Sequence, residues 1–178
     1  MDSRFPPPRD AAVAGLIAGV AVLARSQVTH GFLAAVVNGA DLVFHEAGHP
    51  IVGLLGSRFL MFLGGTLGQL CFPVVAAVTF LRRRQVVPLA ASLAWLGFNL
   101  VDVGRYVADA EARALPLLTG EPGTHDWWNM LGMLGIREAG PALGWITGAL
   151  GWALMAAAPM WAAAQWLRPR LVVAARSM

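Results

Sequence analysis

Apolar residues fall in five blocks along the chain, separated by short polar or arginine-bearing breaks. The blocks cover residues 11–24, 32–55, 60–81, 86–108 and 141–167. None alternates with period two, so none reads as a strand. The last four are long enough to cross a bilayer as helices, which takes about 20 residues. The first is short. It reads as a retained helix, with a signal-peptide core as the other reading because "AVLA" precedes Arg25. The prolines before it favour the retained helix. They also keep residues 1–10 out of helix as an exposed tail, and Asp10 is a good cap for the first helix. The expected fold is therefore all-α: a polytopic membrane protein with four or five transmembrane helices. It forms one domain over 11–170, with a polar connection over 109–140 and a C-terminal tail over 171–178.

Composition sharpens this picture. Hydrophobic residues make up 57% of the 178 residues and charged residues 13%. A soluble domain carries about 25% charged residues. Such a chain cannot cover a water-facing surface, so the lipid bilayer is its expected partner. The net charge of +3 comes from arginine alone, since the chain has no lysine. The arginines sit between and beyond the apolar blocks, which fits headgroups and topology signals rather than nucleic acid. With five spans, Arg25, Arg82–Arg84, Arg168, Arg170 and Arg176 share a cytoplasmic side. The N-terminus and the "THDWW" connection then face outward. The one cysteine, Cys71, can form no intrachain disulfide and is expected to pack as a small apolar residue.

One block carries chemistry. "DLVFHEAGHPIVGLLG", Asp41 to Gly56, holds the pattern H-E-x-x-H within the second block. On a helix, residues four apart share a face, so His45 and His49 can aim two imidazoles at one ion. Glu46 is next to His45 and can reach a water on that ion. In such sites zinc takes a third protein ligand and a water, and the carboxylate serves as general base. The alternative is a hydrogen-bonded structural cluster. Ionisable groups within a membrane are costly, and a shared metal ion is a sufficient reason for three of them within five residues.

These residues carry a resemblance. "FHEAGH" in a spanning helix, with the glycine-rich "FLGGTLGQL" opening the next, resembles the site-2 protease group of intramembrane zinc metalloproteases. The resemblance implies hydrolysis of peptide bonds at or near the membrane, on a peptide or membrane-protein substrate. It also implies an aspartate ligand from a later helix. "FNLVDVGRY", with Asn99 and Asp102, stands where that ligand is expected, but it lacks the proline and its glycine is one position late. The chain also resembles small uncharacterised bacterial membrane proteins that pair "HEAGH" with a later "HDW", which implies a bacterial inner (plasma) membrane.

A third ligand is needed, and His125 in "THDWW" is the first candidate. Asp126 beside it is able to ligate, or to orient an imidazole. The other reading of this stretch is an interfacial tryptophan belt, with His125 and Asp126 capping a short helix. Asp102 is the second candidate, with an ion pair to Arg105 as its alternative, and Asp109 is a weaker third. Asp41, one turn before His45, is a candidate support for that imidazole, or an acid paired with Asn38 or Arg105. His30 reads as solvated. Gly64, Gly65, Thr66 and Gln69 allow two readings: tight helix packing through small residues, or a non-helical segment that pairs with a substrate strand. The expected function is a membrane-embedded zinc metallohydrolase, with Glu46 catalytic and His45, His49 and His125 on the metal. The alternatives are a non-catalytic protein with a structural cluster, and a zinc hydrolase acting on lipid or another non-peptide amide.

Overall fold

A computed structural model describes residues 5–117 and 120–176 of the chain. The first residues of the expected N-terminal tail and the last two of the C-terminal tail lie outside the described residues. Among the described residues the fold is all-helical, with no strand. The long helices are α1 (Asp10–Val28), α2 (Phe32–Gly53), α3 (Arg58–Arg82), α4 (Val86–Ala108) and α6 (Gly140–Arg176). The short α5 (Asp126–Leu134) lies between the last two. α6 carries Pro159 and Pro169 within it and runs to Arg176, so helix takes most of the expected C-terminal tail.

Four helices are long and apolar enough to cross a membrane: α1, α3, α4 and the stretch Arg137–Pro169 that includes most of α6. α2 is not among them. Its length suffices, at about 33 Å for 22 residues. Its apolar character is diluted by Asn38, Asp41, His45, Glu46 and His49. Phe32, Val43, Ile51, Leu54, Trp145 and Met160 are exposed around the bundle, as lipid-facing side chains must be.

The helices meet through small residues. In lipid, apolar side chains gain little by clustering, so association relies on close backbone contact. A Cβ on Gly97 would lie 2.7 Å from the Gly151 carbonyl, and one on Gly104 would lie 2.6 Å from the Gly148 nitrogen. α4 and α6 are thus antiparallel and in backbone contact. α2 and α3 are joined in the same way: a Cβ on Gly64 would lie 2.5 Å from the Gly48 carbonyl. Phe44 stacks on Phe72 alongside, with centroids 3.8 Å apart. The glycine-rich stretch is therefore continuous helix, and the reading of it as a non-helical segment is not met.

These contacts also correct the expected topology. Trp166, late in α6, donates to Asp10 Oδ1 at 2.8 Å, and Phe5 packs edge-on against Trp161. Leu16 of α1 clusters with Val86, Ala90 and Ala94 near the start of α4, whereas Leu23 and Ala24 pack beside Phe98 and Val101 further along it. α1 thus runs parallel to α4. Its N-terminus lies at the bundle end that holds Arg82–Arg84, opposite His125, and not with "THDWW" as five spans require. α2 leaves the turn at His30, where the Ala34 nitrogen donates to Ser26 Oγ (2.8 Å), and reaches the start of α3 without returning to the first end. Because α2 does not cross from end to end, the parity of crossings changes. Among the described residues, Arg9, Arg82, Arg83, Arg84 and Arg168 then gather at one end with Asp10. The other end mixes Arg25, Arg58, Arg105, Arg113 and Arg137 with five acidic residues, Asp109, Glu111, Glu121, Asp126 and Glu138.

Candidate metal centre

The helical spacing of α2 brings His45 and His49 together, with ring centroids 5.0 Å apart. His45, Glu46 and His49 form a group able to hold a metal ion, with one ligand atom from each lying within 4.8 Å of the others. Each imidazole is held at its Nδ1. His49 Nδ1 lies 2.8 Å from the Met61 carbonyl, and that carbonyl only accepts, so Nδ1 carries the proton. His45 Nδ1 lies 3.4 Å from Gln69 Oε1, a longer contact of the same kind. A proton on Nδ1 leaves Nε2 as the atom a metal would take; in this structure His45 Nε2 is hydrogen-bonded to the Asp126 carboxylate instead. Gly65 makes this possible: a methyl group there would run into Nε2 of His45 and Cε1 of His49.

The structure turns Asp126, rather than His125, toward this pair. Asp126 Oδ2 lies 3.0 Å from His45 Nε2 and 3.5 Å from His49 Nε2. Two ligands each about 2.0–2.1 Å from a tetrahedral zinc-sized ion lie about 3.3–3.4 Å apart. The two distances bracket that edge, so Asp126 Oδ2 stands from each imidazole at about the separation of two ligands of one ion. Tyr106 supports the carboxylate. Its hydroxyl accepts from the Asp126 nitrogen at 3.0 Å and lies 3.4 Å from Oδ2.

His125 does other work. Its Nδ1 accepts from the Trp128 nitrogen at 3.2 Å, which caps α5. Its ring stacks on Tyr106 with centroids 4.2 Å apart, and its Nε2 faces Asp109 Oδ2 at 3.5 Å. His125 is fully buried, and burial pushes the imidazole below its ordinary pKa despite the neighbouring carboxylates. A neutral ring capping a helix is the outcome, and the expectation that His125 completes the metal site is not met by this geometry. A cap turns its side chain back onto its own helix, which leaves the next residue to face across to α2. α5 is further fixed by Trp127, which donates to Thr66 Oγ1 at 3.2 Å, and by Trp128, whose ring carries the guanidinium groups of Arg137 and Arg113 over it.

The other candidates also have partners. Asp102 accepts from Gln69 Nε2 at 3.2 Å, so it is linked to His45 through that amide, and it lines the same cavity. Asp109 accepts from the nitrogens of Ala114 and Leu115 at 2.9 and 3.0 Å and shapes the segment that follows α4. Asp41 is held by Trp95 Nε1 at 3.2 Å, away from His45. Cys71 is exposed on α3 rather than packed inside. The sequence pattern does not single out Tyr106, whose one signal is its place a turn after Asp102 on α4. Glu46 is exposed on the wall of a cavity of about 750 Å³, which His45, His49 and Asp126 also line. Such a volume is typical of small-molecule sites. Comparison with protein-family models, curated proteins and solved structures finds no match for the chain.

Proposed function

We propose that the protein is a membrane-embedded zinc metallohydrolase that cleaves peptide bonds at or near the membrane. One observation carries the reading: the Nε2 atoms of His45 and His49 converge on Asp126 Oδ2 beside Glu46, at the wall of a large cavity. The donor set of two imidazoles and a carboxylate suits zinc and leaves a position open for water. Zinc held there would supply a Lewis acid and a water of lowered pKa. Glu46 is adjacent and exposed to the cavity, placed to act as the base toward such a water and as the acid toward the leaving nitrogen. Met61 and Gln69 keep the imidazoles in the ligating tautomer, and Tyr106 holds the Asp126 carboxylate in place. Glu46 separates this reading from a structural metal site, which needs no base. The resemblance to site-2 proteases supports the substrate, and the resemblance to small bacterial membrane proteins supports a bacterial plasma membrane. The aspartate differs in origin, coming from α5 rather than from the Asp102 segment.

Glu46→Gln is expected to retain zinc and to lower the hydrolysis of fluorescein-labelled casein in detergent by about 10²–10⁴. Turnover by Glu46→Gln equal to that of the wild type, or no zinc-dependent turnover by the wild type, defeats the proposal.

A further inference from the structure

The cavity extends beyond the metal group to the end of α1. Gln27, in the last turn of α1, lines it and is 3% exposed. Neither its Oε1 nor its Nε2 has a hydrogen-bond partner. Asn38 of α2 lines the same cavity, and its Oδ1 is also buried without a partner. Buried polar atoms are almost always paired, and an unpaired one costs about 1–3 kcal/mol. Two amides from different helices thus line one cavity with three side-chain atoms unsatisfied, on a wall that also carries the apolar Ala34, Ala35 and Leu42.

Asn38 is two turns before His45 and shares its face of α2, about 10 Å away along the helix. An extended chain covers that distance with about three residues. The unsatisfied atoms also define the ligand's chemistry. Gln27 Oε1 and Asn38 Oδ1 need donors, and Gln27 Nε2 needs an acceptor. A carboxylate or phosphodiester offers acceptors only and would leave the amide oxygens unpaired. A peptide chain offers N–H and C=O groups in alternation.

We propose that Gln27 and Asn38 form a subsite that binds peptide groups of an extended substrate about three residues from the metal group. This rests on the hydrolase reading for its purpose but not for its test.

The test uses the full chain in detergent, freed of metal by chelation and, separately, loaded with zinc. The probes are radiolabelled acetyl-Leu-Ala-Leu-Ala-methylamide and analogues in which one peptide N–H at a time is replaced by an ester oxygen. Binding is read by scintillation proximity against empty micelles. Metal-free wild type is expected to bind the peptide and to lose about tenfold in affinity for at least one ester analogue. Gln27→Leu and Asn38→Leu are expected to bind the peptide about tenfold more weakly and to lose part of the amide-over-ester preference. Gln27→Leu is also expected to raise the thermal unfolding midpoint, since it removes an unsatisfied buried amide. Equal binding of the peptide and all ester analogues by the wild type overturns the inference, and this arm needs no variant. So does wild-type affinity in a folded Gln27→Leu protein, or absence of peptide binding altogether. Peptide binding without cleavage by the zinc-loaded chain leaves the subsite standing and removes the hydrolase reading. Cleavage with no amide preference does the reverse.

Discussion

Gly65 offers a test of the centre in which no ligand is removed. In Gly65→Ala the new Cβ would lie 2.7 Å from His49 Cε1 and nearer still to His45 Nε2. Ordinary contact begins at about 3.4 Å, so the His49 ring must retreat by about 3.4 − 2.7 = 0.7 Å, and the His45 ring by more. Metal sites hold their ligand distances within about 0.2 Å. The rings cannot simply swing away, because their Nδ1 atoms are held by Met61 and Gln69. α2 and α3 cannot part either, because Gly48 and Gly64 are already in backbone contact. Overpacking of this kind costs about 1–3 kcal/mol. If metal binding must restore the crowded geometry, zinc affinity falls by about 5–150-fold, at about 1.4 kcal/mol per tenfold. Competition with a chromophoric chelator on purified protein measures this. Gly19→Ala, where the added Cβ meets nothing within 4 Å, serves as the control. A folded Gly65→Ala protein that binds zinc within twofold of the wild type would refute the placement of both imidazoles.

The same geometry and topology make two further outcomes testable. Asp126→Ala is expected to lower zinc affinity by more than about a hundredfold, beyond the usual loss from a supporting residue. His125→Asn keeps a good helix cap and should retain zinc; the reverse pattern, read by metal analysis, would restore His125 as the ligand. In intact cells, single cysteines on a Cys71→Ser background should separate by side. Thr124→Cys is expected to react with an impermeant maleimide, whereas Pro8→Cys and Gln85→Cys are not; labelling of Pro8→Cys together with Thr124→Cys would return the chain to five spans.

Much of this protein is legible in local pattern. The apolar blocks place the helices, and 86–108 is reproduced to the residue in α4. The pairing of His45 with His49 comes from four-residue spacing on any helix. Local pattern is silent on how far one helix stands from another, and there the tertiary structure decides. Whether α2 crosses the bundle depends on its partners: the contacts of Leu16, Leu23 and Asp10 set the direction of α1, and that direction fixes the end from which α2 starts. The choice between His125 and Asp126 is likewise tertiary. Adjacent residues at a helix start point in different directions, and stacking on Tyr106 with capping of Trp128 turns the imidazole away while the carboxylate faces α2. Gly65 shows the same division. Composition marks it as a small residue in an apolar run, but only its position against His45 and His49 shows that the space it leaves is filled by imidazole rings.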